Sequence, residues 1–165
     1  MTTASTALPL VRSREEGQRR WFYGGGEHLW KATAEETNGA FLLFEDRMAV
    51  GKVTPLHTHP DSDETMIVLE GAIVMHLDGV EHLVEAGGVA VAPRGVPHAF
   101  KVTSPAGARL LCLHTPGCCQ AFYWDASEPL ADGAPATGPV DMGRVQASAR
   151  ANGGIEILGP PPFTS

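Results

Sequence analysis

In the stretch GKVTPLHTHPDSDETMIVLEG, residues 51–71, His57 and His59 are separated by one residue and Glu64 follows five residues later. Imidazole and carboxylate side chains are the usual ligands of divalent first-row metals. In an extended chain residues i and i+2 face the same side, so His57 and His59 project together. Glu64 opens the next apolar stretch, where Glu64, Met66 and Val68 share a face. A second stretch, GGVAVAPRGVPHAF (87–100), brings His98 in after a turn shaped by Pro93 and Gly95, with Phe100 on the same face as His98. Three imidazoles and one carboxylate suit one divalent ion of Fe, Mn, Ni, Co, Cu or Zn. Four protein ligands around such an ion leave two octahedral positions for water, oxygen or substrate, and open positions distinguish a catalytic site from a structural one.

The elements that must position these groups are short. HLWKAT, AFLLFE, TMIVLEG, AIVMHLDG, HLVEAG, VAVAPRG, HAFKV and RLLCLHT are each of strand length and are followed closely by turn residues. Asp78-Gly79 is a strong hairpin signal, and Gly71 marks another tight turn. No helical period is sustained before Thr115. The pattern predicts an all-β fold, a small antiparallel sandwich or barrel. Residues 1–25 read as an N-terminal arm, 26–116 as the barrel core and 117–165 as an extension. That extension carries a helix over 139–152, ended by Gly153-Gly154, and a final extended GPPPF.

The spacing G-x5-H-x-H-x4-E-x6-G (Gly51, His57, His59, Glu64, Gly71) followed by G-x5-P-x-G-x2-H (Gly87, Pro93, Gly95, His98) resembles the paired signature motifs of the cupin superfamily. The resemblance spans roughly residues 25 to 115. It implies a small antiparallel β-barrel of jelly-roll type, with a metal held by His57, His59, Glu64 and His98. The second motif departs from the family pattern at Val102, where Asn is usual; this removes a polar group without touching the ligand set. The wider pattern resembles quercetin-dioxygenase-like bacterial cupins. The implied activity is that of a metal-dependent dioxygenase acting on a small apolar or aromatic molecule. A non-redox lyase, isomerase or cyclase, and a non-catalytic small-molecule binder, are the alternatives. A homodimer is also implied by the resemblance.

Other residues are weighed against plainer roles. Glu64 has a possible second role as base, and His114, on one face with Cys112 and Leu110, is a candidate general acid or base. Met66, Met75 and Phe100 are candidates for the substrate-pocket wall. Strand alternation turns His76 outward, and His28 and His82 read as surface residues. Lys52, Arg94 and Lys101 fall at turns or outward positions, so no basic cluster is expected beside the metal. Cys118 and Cys119 read as free thiols because adjacent cysteines strain a disulfide. Phe122, Tyr123 and Trp124 read as a cap on the barrel.

Composition narrows the class. The 165 residues are 43% hydrophobic and 19% charged, with a formal net charge of −7, a soluble globular profile. That balance argues against a nucleic-acid partner. Arg12, Arg14, Arg19 and Arg20 are interleaved with Glu15 and Glu16 and read as a solvated segment. No apolar run is long enough to span a membrane, and the first residues lack a secretory leader pattern. Three cysteines, two of them adjacent, make a poor disulfide framework. The expectation is a cytoplasmic protein with reduced thiols.

Overall fold

Strand β10 (Ala108–Thr115) buries Ala108, Leu110, Cys112 and His114 and leaves the residues between them partly exposed. Its neighbour β5 (Asp63–Glu70) does the same with Glu64, Met66 and Val68. The period of two turns both strands into one half-buried surface. Their antiparallel register sets Leu110 opposite Val68, Cys112 opposite Met66 and His114 opposite Glu64. Two groups that can carry charge are thereby forced to face each other inside the fold.

The computed structural model describes residues 7–164. The leader expectation rests partly on residues 1–6, which lie outside the described residues. The other strands are β1 (Gln18–Phe22), β2 (Glu27–Ala32), β3 (Leu42–Met48), β4 (Leu56–Thr58), β6 (Ala72–Leu77), β7 (Val80–Glu85), β8 (Val89–Ala92), β9 (His98–Val102), β11 (Ser127–Pro129) and β12 (Glu156–Gly159). Two helices, α1 (Gln120–Asp125) and α2 (Met142–Asn152), lie in the last third. One sheet runs β11-β1-β2-β3-β10-β5-β8 and the other β12-β4-β9-β6-β7, with antiparallel pairing throughout. The expected jelly-roll is present as these two sheets; their ladders do not join into one closed cylinder. Between them lies a single apolar cluster that includes Trp30, Phe44, Met66, Ile73, Met75, Leu110 and Phe122, the bulk of the hydrophobic driving force.

The turns follow the expected chemistry. Asp78 and Gly79 both have positive φ and join β6 to β7 with Leu77 opposite Val80. Gly71 also has positive φ, and a Cβ there would meet the Gly107 carbonyl oxygen at 2.3 Å. Only glycine permits that close passage between the sheets. Helix α2 starts later than predicted: the Asp141 carboxylate accepts from the Arg144 amide at 3.1 Å as its N-cap, and Pro139 stays outside.

Two readings need correction, and one strand is additional. The N-terminal arginines are not all solvated. Arg20 is buried in β1, donates to the Ser127 hydroxyl and to the Ser127 and Trp124 carbonyls, and stacks on Trp124. Its inward position follows from strand alternation. One strand was not expected: β12, which leads into GPPPF, pairs with β4 and sets Ile157 opposite His57. His28 is not a surface residue: it is 1% exposed, with ring centroids 4.7 Å from Phe22 and 4.3 Å from Phe44. His82 is exposed as expected. His76 is half-buried, with its ring against Phe163. No helix of the structure is long and apolar enough to cross a membrane among the described residues.

Candidate metal centre

Each sheet contributes to one buried polar cluster. From one sheet come Glu64 on β5 and His114 on β10; from the other come His57 on β4 and His98 on β9, directly paired across the ladder. His59 lies one residue beyond β4. The potential ligand atoms of His57, His59, Glu64 and His98 all lie within 4.8 Å of one another, and all four side chains are buried. The structure therefore brings together the four residues expected from the sequence.

The imidazole orientations fit a cation. The Nδ1 of His57 lies 2.8 Å from the Pro55 carbonyl, that of His59 2.8 Å from the Gly154 carbonyl, and that of His98 2.9 Å from the Val96 carbonyl. A carbonyl can only accept, so each Nδ1 carries the proton. This leaves each Nε2 as the coordinating atom, the outer hydrogen bonding that ordinarily orients metal-bound histidines. The Gly154 contact arises from the loop between α2 and β12, which sequence periodicity could not connect to His59.

Electrostatics point the same way. His98 Nε2 sits 2.8 Å and His59 Nε2 3.3 Å from the same Glu64 oxygen, Oε2. Burial alone would raise Glu64, but the imidazoles around it, with hydrogen bonds from His59 and His98, hold its carboxyl well below the usual range. Burial lowers His98, yet the Glu64 hydrogen bond and charge outweigh it and raise the imidazole above its ordinary value. His98 and Glu64 thus hold a proton between them. Burial pushes His57 down to about 3, helped by the neighbouring imidazoles, so it stays neutral with a lone pair to give. A divalent cation replacing the shared proton would meet neutral nitrogen donors and one anionic oxygen, the set expected to bind it.

The remaining sequence-predicted residues divide. His114 is fully buried, its Nε2 3.7 Å from Glu64 Oε1, and neither ring nitrogen has a hydrogen-bond partner. Burial pushes it down to about 3, so it is neutral. Phe100 lines a cavity beside the cluster, whereas Met66 and Met75 are core residues outside that lining. The cavity is about 50 Å³ and reaches His57 and Glu64. Phe22, Phe44, Phe122 and Tyr123 make its walls aromatic, and Met142, Val145, Ile155 and Ile157 from α2 and the β12 region close its other side.

The sequence missed three residues here. Tyr123, read as part of a cap, points its hydroxyl at His59 Nε2, 3.5 Å away. Cys119 is buried and forms with His59 and His114 a second group of potential ligands within 4.8 Å. Lys52, read as outward-facing, lines the cavity. The three cysteines are free, as expected.

Residues 44–114 match the family model described as Cupin domain. A 97-residue segment, 59% of this chain, is 30% identical to a quercetin 2,3-dioxygenase of Bacillus subtilis (strain 168) and spans 28% of that protein's length. Among solved structures, a predicted oxalate decarboxylase from Thermotoga maritima superposes with a TM-score of 0.58 at 25% identity, covering 66% of this chain and 99% of the other. The polyketide cyclase RemF from Streptomyces resistomycificus superposes with a TM-score of 0.55 at 25% identity, covering 65% and 80%.

Proposed function

We propose that this chain, whose residues 44–114 match the Cupin domain model, is a metal-dependent oxygenase of dioxygenase type acting on a small apolar or aromatic molecule. The observation that carries the reading is the joining of a three-imidazole, one-carboxylate cluster to an aromatic-walled cavity that His57 and Glu64 enter directly. The similarity to a quercetin 2,3-dioxygenase supports the reaction class. The cavity volume favours the smallest members of the substrate class.

His57, His59, Glu64 and His98 would hold one divalent transition metal, which supplies Lewis acidity and, for a redox-active ion, one-electron chemistry. The protein's own residues do the rest. The Pro55, Gly154 and Val96 carbonyls fix the imidazoles and so keep the donor geometry rigid. The aromatic walls exclude water and offer flat faces to an aromatic substrate. Glu64 lines the cavity and, once its shared proton has left, can accept a substrate proton. His114 is neutral beside it, with one ring nitrogen to donate and one to accept.

The test is oxygen uptake with a panel of single-ring phenols and enols, using protein reconstituted in turn with Fe, Mn, Ni, Co, Cu and Zn. Turnover that consumes dioxygen with at least one redox-active metal supports the reading. Metal-dependent turnover without oxygen uptake contradicts it and moves the chain to the alternative of lyase, isomerase or cyclase chemistry, which the likeness to a polyketide cyclase favours.

His114 gives a second prediction. It pays the cost of burying two unpartnered ring nitrogens, so His114→Leu is expected to be at least as stable as the parent, by up to about 1–2 kcal/mol. The variant should keep its metal while turnover falls about 10²-fold, the usual contribution of a positioned proton acceptor. Unchanged turnover would leave His114 as packing only.

A further inference from the structure

The end of the cavity away from the histidine cluster is polar, and nothing in the metal site requires it to be. Lys52, Asp46, His28 and Cys112 line the cavity, and Asp46, opposite Leu110, stands four residues along β3 from Leu42, the partner of His114. The Lys52 ammonium donates to the carbonyls of Gly24 and Gly25, which occupies two of its three protons. Asp46 is 5% exposed and its Oδ1 has no hydrogen-bond partner; His28 is 1% exposed and its Nδ1 has none. The nearest approach of His28 to Asp46 is 3.7 Å, beyond hydrogen-bond range. Among the described residues no ion pair within 4.0 Å joins Lys52 to Asp46. The two nonetheless act on each other: burial draws the Lys52 ammonium down to about 8, and Asp46 opposes that fall.

Opposite charges in an apolar pocket ordinarily close on each other or are bridged, because unpaired burial is costly. Here the Gly24–Gly26 loop holds Lys52 by its carbonyls, and Asp46 is fixed in the middle of β3, opposite Leu110 and His28. The pair is held open by backbone on both sides. A group that fits the gap must accept from an ammonium and donate to a carboxylate. A hydroxyl does both; a halogen, a methyl or an ether cannot donate, and a carboxylate would oppose Asp46.

We propose that Lys52 and Asp46 form a distal subsite that binds a hydroxyl group of the substrate, so that the molecule spans the cavity from the histidine cluster to this pair. The ligand class is a small ring bearing two separated oxygens, one at each end. The proposal rests on the reading of this cavity as the substrate pocket, but not on the metal's identity or on the use of dioxygen. Lys52 and Asp46 are specificity-determining residues in this assignment, with no part in bond breaking.

The test is calorimetric titration of the purified protein with phenol and with resorcinol, which differ by one hydroxyl. Resorcinol is expected to bind about tenfold more tightly than phenol, the effect of one hydrogen-bonded hydroxyl on a charged pair. In Lys52→Met and in Asp46→Asn the ratio should fall to within twofold of one while phenol affinity is retained, which also reports that the pocket is intact. Where Lys52→Met loses phenol binding together with its folded signal, the Asp46→Asn ratio decides. A ratio near one in the parent protein, or a tenfold ratio surviving in Asp46→Asn, overturns the proposal. A tenfold ratio in the parent that is lost in the variants, in a protein that never consumes oxygen, would leave the subsite standing and remove only the oxygenase reading.

Discussion

The double variant His57→Ala/His98→Ala is expected to retain less than about a tenth of the metal bound by the parent protein, and with it less than about a hundredth of any metal-dependent activity. The two imidazoles face each other across β4 and β9, so one ladder position supplies half of the donor set. Removing both leaves His59 and Glu64, two of the four donors. The variant should still fold. Both side chains are polar and their loss spares the apolar cluster, although the small voids cost about 1–3 kcal/mol in total. Elemental analysis beside a melting curve checks both parts, with His82→Ala as an exposed-histidine control that should keep full metal. Equal metal in the double variant and the parent would place the ion elsewhere.

Acid lability of the metal-free protein is the second large effect. His57 and His114 have folded-state values near 3, against 6.5 for the unfolded chain. The unfolded state therefore binds more protons between these limits, and stability falls as pH drops from about 6.5 toward 3. Each group contributes about 1.4 kcal/mol per pH unit across that window. Glu64, held well below its ordinary value, adds a further loss below about pH 4.5. His98 has the opposite sign: its raised value gives stability that is fully present below 6.5 and is lost as pH rises through the folded value. Two depressed imidazoles and the carboxylate outweigh it, so the urea midpoint of chelator-treated protein should drop steeply from pH 6.5 to 4. A midpoint that stays flat over that range would mean that these histidines titrate as solvated groups. Metal binding near neutral pH should also release about one proton, the one shared by His98 and Glu64.

How much of this was legible in the sequence follows from which residues sit on a period. Glu64, Met66 and Val68 alternate along a clean eight-residue strand, and so do Cys112 and His114, so their inward direction could be read directly. His57 and His98 were fixed by motif spacing, and the ladder then set them opposite each other. His59 lies past the end of β4, and Thr58 between the two histidines is also buried, with β12 paired along the edge of β4. That pairing was illegible: the short stretch before GPPPF shows no period, and its pairing with β4 is a contact across about a hundred residues of chain.

Lys52 was misread because it lies in an irregular segment before β4, where no period assigns a side. Its direction is set by the carbonyls of Gly24 and Gly25, which lie far from it in sequence. His28 was misread because β2 is buried on both faces, so a polar residue there has no solvent side to choose. Tyr123 sits in a six-residue helix too short to show a helical face, and only tertiary packing turns it toward His59. These three residues share one feature: each gains its role from a partner distant in sequence, which local patterning does not encode.

The most direct measurement is X-ray absorption at the metal edge of the reconstituted protein. The account predicts a shell of nitrogen and oxygen only, with three imidazoles resolved by their outer-ring scattering and one carboxylate oxygen, completed by one or two further light atoms. A sulfur scatterer at about 2.3 Å would contradict it. That result would move the ion to the neighbouring group of His59, His114 and Cys119 and leave Glu64 and His98 as the proton-sharing pair they form without metal.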